Sequence, residues 1–444
     1  MSIAVQASIP ALRLSRFDPT TSAYGLSSWF APALVLWALE WASINSGPWD
    51  YAHFGSSPSG SMNALRACLP PLVLTVALLA LVGARRRRLS WVERGFWAYG
   101  LTMLLSGILC EATLAHFYYG VGFLGVVATA ELGLRGRDAW GFAVRLNWAS
   151  WIITTLALAA LLFFARDALY APDSDSAYGV LNRYQDQYGL GMSRSTGLSR
   201  MAVIPAIISL SFVLSGDIRQ RLAAGCVFLA ACYVIWIMQS RGAFFSFSGA
   251  LFFMAAFGNR RRRAPFILYA IAIAVCVIPL VAPPGAIEAM WSHVTRSEGT
   301  EAFARASGRY DIYSFLWEQW LQSPILGYGP EGDRIFGCNA QNAWLYALMC
   351  GGVVGMVFFS AAMLAAWRAL IVIAARASRL PSFERRMFQI TGTLLVFCTL
   401  RSIPENNAAV FSIDQLLQYP AMIYLSLLAA RLKELQTYNR APGR

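Results

Sequence analysis

Long, nearly uninterrupted apolar runs recur along this chain, and they settle its fold class before any motif is considered. Runs of about 17–22 residues match the length needed to cross the hydrocarbon core of a bilayer. Twelve candidate spans can be marked: 27–44, 67–84, 96–115, 117–134, 147–165, 201–215, 222–238, 243–257, 264–281, 342–366, 387–400 and 409–430. Hydrophobic residues fill 57% of the 444 positions and charged residues only 13%, with a mean hydropathy of +0.50, so too little polar surface is available for soluble domains. An open sheet cannot satisfy its backbone in lipid. The expectation is therefore an all-α integral membrane protein with about twelve transmembrane helices, a single polytopic domain over residues 1–444. The first run follows a polar leader holding Arg13 and Arg16, with no small-residue cleavage site after it, and reads as a retained span. The third and fourth runs are nearly continuous and read as a hairpin.

Charge orients the spans. The net charge of +13 is almost all arginine, with Lys433 the one lysine. Basic segments follow every even span: 85–88, Arg135 and Arg137, Arg219 and Arg221, 260–263, the arginines between 368 and 386, and Arg431 with Lys433. Basic segments stay cytoplasmic, which puts both termini in the cytoplasm and the two longest loops, 166–200 and 282–341, on the periplasmic side. A nucleic-acid partner is excluded, since the arginines lie between apolar runs and no soluble basic surface is left to read bases. None of the eight cysteines forms a C-x-x-C pair. His53, His116 and His293 lack metal spacing, so neither a disulfide framework nor zinc is expected. No P-loop or Rossmann fingerprint appears, and no cofactor is implied.

Four polar stretches remain. In "ASGRYDIYSFLWEQWLQSPILGYGPEG" (306–332), Ser307-Gly308 reads as a helix start and Ser323-Pro324 as a stop. Tyr310, Tyr313, Trp317, Trp320 and Leu321 recur at helical spacing and predict an apolar stripe on an amphipathic helix within the long loop. Arg309 in the first turn opposes the helix dipole unless an anion binds there; the plain alternative is a surface arginine paired with Asp311 or Glu301. In "WIMQSRGAFFSFSG", Arg241 interrupts an apolar stretch at the outer end of two spans, either as a functional charge or as one reaching the interface. In "CNAQNAWLYALMCGGVVGMVFF", Gln341 and Asn342 precede an apolar helix, and asparagine is a common N-cap. In "LRSIPENNAAVFS", Arg401 and Glu405 read as an ion pair. The same face would hold Arg241 and Arg309, and several guanidiniums can hold a diphosphate without metal.

The order of these pieces resembles the O-antigen ligase and O-antigen/exopolysaccharide polymerase family of bacterial membrane proteins. The likeness is strongest from about 230 to 355: Ser240-Arg241-Gly242 between two spans, Gly308-Arg309 through Tyr313, the P-x-x-G-x-G step from Pro324 to Gly329, and Gln341-Asn342-Ala343-Trp344-Leu345 before a glycine-bearing helix. The family's histidine before asparagine is Gln341 here, and glutamine cannot act as a general base at neutral pH. The resemblance implies a metal-independent C-type glycosyltransferase in the inner membrane with a periplasmic site. Its donor would be an oligosaccharide on undecaprenyl diphosphate and its acceptor a glycan or lipid, with membrane lipids around it and a chain-length regulator as a further partner. Arg241, Arg309 and Gln341 would be catalytic. Tyr310, Trp317, Asn342, Arg401 and Glu405 would line the substrate.

Polymerase is the first expectation and ligase the runner-up, because Gln341 removes the histidine expected of a ligase. A lipid-linked oligosaccharide flippase or transporter would call for internal repeats and for charged residues deep within spans. No repeat is visible, and Glu40, Glu111 and Glu131, the acids placed in spans, do not pair by position. A reporter fused near Gly299 is expected to be active only in its periplasmic form. Activity of a cytoplasm-only reporter there would overturn the orientation.

Overall fold

The computed structural model describes residues 29–44, 64–110, 112–164, 195–238, 240–257 and 309–440. These form helices, short 3-10 turns and loops, with no strand among them. In chain order the helices are α1 (Phe30–Ser43), α2 (Leu69–Gly83), α3 (Trp91–Leu109), α4 (Leu114–Leu134), α5 (Ala139–Phe164), α6 (Ser195–Ser215), α7 (Ile218–Ile237), α8 (Arg241–Phe257), α9 (Arg309–Trp320), α10 (Ala343–Ala374), α11 (Ser382–Arg401) and α12 (Ile413–Arg440). Eleven of the twelve predicted segments fall on a helix; the run 264–281, Glu111 and Gly299 lie outside the described residues. Among the described residues six helices are long and apolar enough to cross a membrane, and α1 and α8 are shorter apolar helices. The chain is an all-α, multi-pass membrane protein.

α3 runs along α10, α2 and α1 pack on α4, α8 packs on α11, and α12 lies against α5, α10 and α11. Aromatic side chains fill the middle, where Phe96, Tyr99, Phe123, Phe359 and Tyr419 are buried and in mutual ring contact. Neither end of the bundle is left to apolar packing alone. At the end where α3 begins, Ser90 and Glu93 close a capping box. Arg87 there binds Glu93 and, at 3.0 Å, Glu131; Arg135 reaches Glu131 at 2.8 Å and the Leu81 carbonyl at 3.0 Å. Glu131 thus pairs with two arginines, one on the loop before α3 and one a helical turn away.

At the other end, α10 is broken. Gly352 has φ +57° and ψ −159°, so the carbonyls of Met349 and Cys350 and the N–H groups of Val353 and Val354 lose their helical partners. Residues 324–329 supply all four. Tyr328 N–H donates to Met349 O at 2.7 Å and Gly329 N–H to Cys350 O at 3.1 Å. Val353 N–H donates to Pro324 O at 2.8 Å and Val354 N–H to Ile325 O at 3.3 Å. Unpaired backbone groups at membrane depth are costly, so this splice explains both the P-x-x-G-x-G step and the glycine-bearing helix. Gly327 has φ +66°, and a Cβ there would lie 2.5 Å from Met349 O; one on Gly352 would lie 2.1 Å from Ile325 O.

Gly352→Ala is expected to cost about 2–4 kcal/mol, from left-handed strain plus collision with the splice. Gly355→Ala, whose Cβ would meet Tyr99 at 3.4 Å, should cost less than about 1 kcal/mol. Thermal unfolding of the purified protein in detergent compares the two; equal losses would refute the splice.

Candidate functional site

The splice holds the start of α10 beside the turn after α11, and the polar residues named in the sequence gather there. Asn342 is the N-cap of α10, with its Oδ1 accepting from Trp344 N–H and Leu345 N–H at 2.9 Å each. Its Nδ2 donates to Ile403 O at 3.0 Å, and its own N–H donates to Asn406 Oδ1 at 3.0 Å. Ala343 N–H adds a bond to Ser402 O at 2.9 Å. Both ends of the Asn342 side chain are therefore used in capping α10 and tying it to residues 402–406.

Gln341 stands one residue earlier, in the left-handed region at φ +44°. Asn339 Oδ1 accepts its N–H at 3.1 Å, and Asp333 Oδ2 accepts from Ala340 N–H at 2.7 Å. This turns the Gln341 amide toward α9, where Arg309 Nε donates to Gln341 Oε1 at 2.7 Å. Tyr313, one turn on, donates to Gln341 O at 3.0 Å and lies 3.4 Å from Ile403 O. Burial pushes the Tyr313 hydroxyl up, with Arg309 opposing. Among the described residues no carboxylate lies within ion-pair reach of Arg309, so a neutral amide positions its charge without cancelling it.

α9 ends where expected, while the expected start at Ser307-Gly308 lies outside the described residues, and its buried face differs from the predicted stripe. Leu316 (0% exposed) and Trp320 (9%) face the bundle, whereas Tyr310 (63%) and Trp317 (48%) are exposed, as is Leu321. The alternation was misread because every residue from Ile312 to Trp317 except Ser314 is apolar or aromatic, which leaves the phase undetermined. The Trp317 and Trp320 rings meet at a tilt, 4.6 Å apart, and Tyr310 lies 6.4 Å from Tyr313, so aromatic side chains run along the helix that Arg309 opens.

Arg241 opens α8 and is half buried. A Cβ on Gly242 would meet Pro404 at 3.6 Å, which sets the start of α8 against the same 402–406 turn. Arg401 pairs with Glu405 as expected, at 3.8 Å, but it is only 2% exposed and also meets Asp414, whose Oδ1 lies 3.4 Å from its NH1. Asp414 Oδ2 in turn accepts from Arg200 NH1 at 2.6 Å. The sequence reading missed Arg200 and Asp414, which lie far apart in the chain and have no motif around them.

Three non-glycine residues among those described have positive φ: Glu331 (52°), Gln341 (44°) and Asn407 (39°). All three sit in the two loops that build this face, and strain of this kind gathers at functional sites. Burial lifts the Glu331 carboxyl to about 7, with Arg334 opposing and Asp333 adding to the rise. The Asp333 carboxyl is raised by burial as well. Among the described residues no three His, Cys, Asp or Glu side chains are grouped to hold a metal.

Asn342→Ala is expected to lower stability by roughly 1–2 kcal/mol, through loss of the cap. Arg309→Ala, part exposed and bonded to one neutral amide, should change stability by about 0.5 kcal/mol or less. Unfolding midpoints of the two variants in detergent check the contrast.

No curated protein matches the chain. Residues 225–360, which carry most of α7, all of α8 and α9, the splice and the start of α10, match a family model described as O-antigen ligase. The Arg241, Arg309 and Gln341 steps lie inside that match, which supports placing the chain in the O-antigen ligase family.

Proposed function

We propose that this chain is a polysaccharide polymerase of the bacterial inner membrane, joining undecaprenyl-diphosphate-linked repeat units at the periplasmic face. One observation carries the reading: Arg309 is oriented by Gln341 yet has no counter-ion among the described residues, beside the turn that also meets the start of α8 at Arg241. A guanidinium held by one Nε contact keeps its two NH2 groups for bidentate contact with phosphate.

The acceptor hydroxyl attacks the anomeric carbon of the donor. The bond from that carbon to the diphosphate oxygen breaks, and undecaprenyl diphosphate leaves with the electron pair. Arg309 and Arg241 stabilise the charge that develops on the leaving group, an interaction stronger in the transition state than before it. Tyr310 and Trp317 offer exposed rings for sugar faces. Gln341 cannot take the acceptor's proton. Glu331 can: it lies in the same loop, makes no ion pair among the described residues, and titrates at about 7. The membrane lipids accommodate the polyprenyl tail, and a chain-length regulator would act on the same growing glycan.

Deleting the gene is expected to leave single repeat units on the lipid carrier and to collapse glycan chain length. Full-length polymer retained on undecaprenyl diphosphate would instead make the protein a ligase. Arg309→Ala and Arg309→Lys should each lower transfer by roughly 10²–10³-fold, since lysine lacks the fork. Wild-type transfer should fall as pH drops through about 7, because the base is lost on protonation. Glu331→Gln should lose about 10²-fold or more and with it that acid limb. An unchanged pH profile in Glu331→Gln removes Glu331 from the chemistry.

A further inference from the structure

The buried ion cluster beneath the site lies outside the segment that matches the family model. Arg200 is near the start of α6, Asp414 is in the first turn of α12, and Arg401 closes α11. Asp414 is 3% exposed and lies between the two arginines, at 2.6 Å from Arg200 and 3.4 Å from Arg401. Arg401 is too deeply buried to touch a glycan or a diphosphate at the surface. It is, however, the residue immediately before the 402–406 turn, and that turn supplies the acceptors for Asn342 Nδ2, Asn342 N–H, Ala343 N–H and Tyr313. Tyr313 and Asn342 flank Gln341, and Gln341 holds Arg309.

We infer that Arg200 and Asp414 are positioning residues for transfer: by fixing Arg401 they hold the 402–406 turn, and through it the Gln341–Arg309 pair. This rests on the reading of Arg309 as the group that meets the diphosphate. A single carboxylate ties α6 to the consecutive helices α11 and α12, more than 200 residues further along the chain, and removing a partner upsets the charge balance of a buried cluster. The effect on the surface is a displacement rather than a lost contact. Misplacing reacting groups by about 1 Å can cost 10²-fold in rate.

The contact chemistry separates this role from that of Arg309. Arg200 meets Asp414 through one nitrogen and one oxygen, so a point charge suffices and lysine should serve. Arg309 needs the fork, and lysine should fail there.

The test uses the full-length protein in lipid nanodiscs, with lipid-linked repeat units extracted from a deletion strain as donor. Arg200→Gln and Asp414→Asn are each expected to lower kcat about ten- to a hundredfold, with donor KM within about threefold of wild type. Arg200→Lys should recover most of the rate. Tyr313→Phe should lower the rate by itself, and combining it with Arg200→Gln should give a loss well short of the product of the two, because both act through the same turn. If Arg200→Gln does not reach the membrane folded, Arg200→Lys and Asp414→Asn carry the comparison. Full additivity, a rise in KM at unchanged kcat, or wild-type transfer by Asp414→Asn would overturn the inference. If Arg309→Ala abolishes transfer while Asp414→Asn does not impair it, only the positioning role falls. If Arg309→Ala transfers normally, the reading of the site falls with it.

Discussion

Four backbone hydrogen bonds between residues 324–329 and the broken turn of α10 hold the candidate site in place. A helix interrupted in an apolar setting exposes carbonyls and amides that lipid cannot satisfy. Here a loop returns to accept and donate in their place, so that the break and the loop each depend on the other. Everything at the site end is referenced to this join. It fixes the direction of the first half of α10, hence the cap at Asn342, and hence the backbone of Gln341. The glycines at 327 and 352 permit the close approach, which is why a loop motif and a helix motif well separated in the sequence belong to one piece of structure.

The arginines at this end divide into two kinds. Arg200 and Arg401 share Asp414, which ties α6, α11 and α12 together, and Glu405 adds a second carboxylate to Arg401. Arg309 is oriented by an amide oxygen and keeps its charge. Burial separates them as well: Arg401 is 2% exposed, whereas Arg309 is part exposed, with Tyr310 and Trp317 exposed on the same helix. A glutamine suits this arrangement better than a carboxylate would, because it directs the guanidinium without competing with an incoming anion.

Much of the fold was legible because membrane spans and helix stops are local signals. The end of α9 at Trp320 falls just before Ser323-Pro324, and Asn342 reads as a cap from its own identity and the apolar run after it. What could not be read was pairing. The Arg401–Glu405 pair is local and legible, but the second partner, Asp414, depends on where α12 begins in space, and Arg200 reaches that point only after helices far apart in the chain have packed. Glu131 finds Arg87 for the same reason. The buried face of α9 was misjudged for a different reason: with apolar residues on all sides of a short helix, periodicity has no contrast, and only the bundle decides that Leu316 goes inward and Trp317 outward.

The break in α10 also settles a matter of length. As one straight rod, its 32 residues would measure about 48 Å, far beyond a hydrocarbon core of about 30 Å. Counted from Gly352 onward, the remainder is about 33 Å and matches the bilayer. The bend thus removes the hydrophobic mismatch at a stroke and defines the depth at which the short first half leaves the span. On the proposed reading, that length would set Gln341 and its partner Arg309 near headgroup level, where a phosphate anchored in lipid and a sugar dissolved in water can meet.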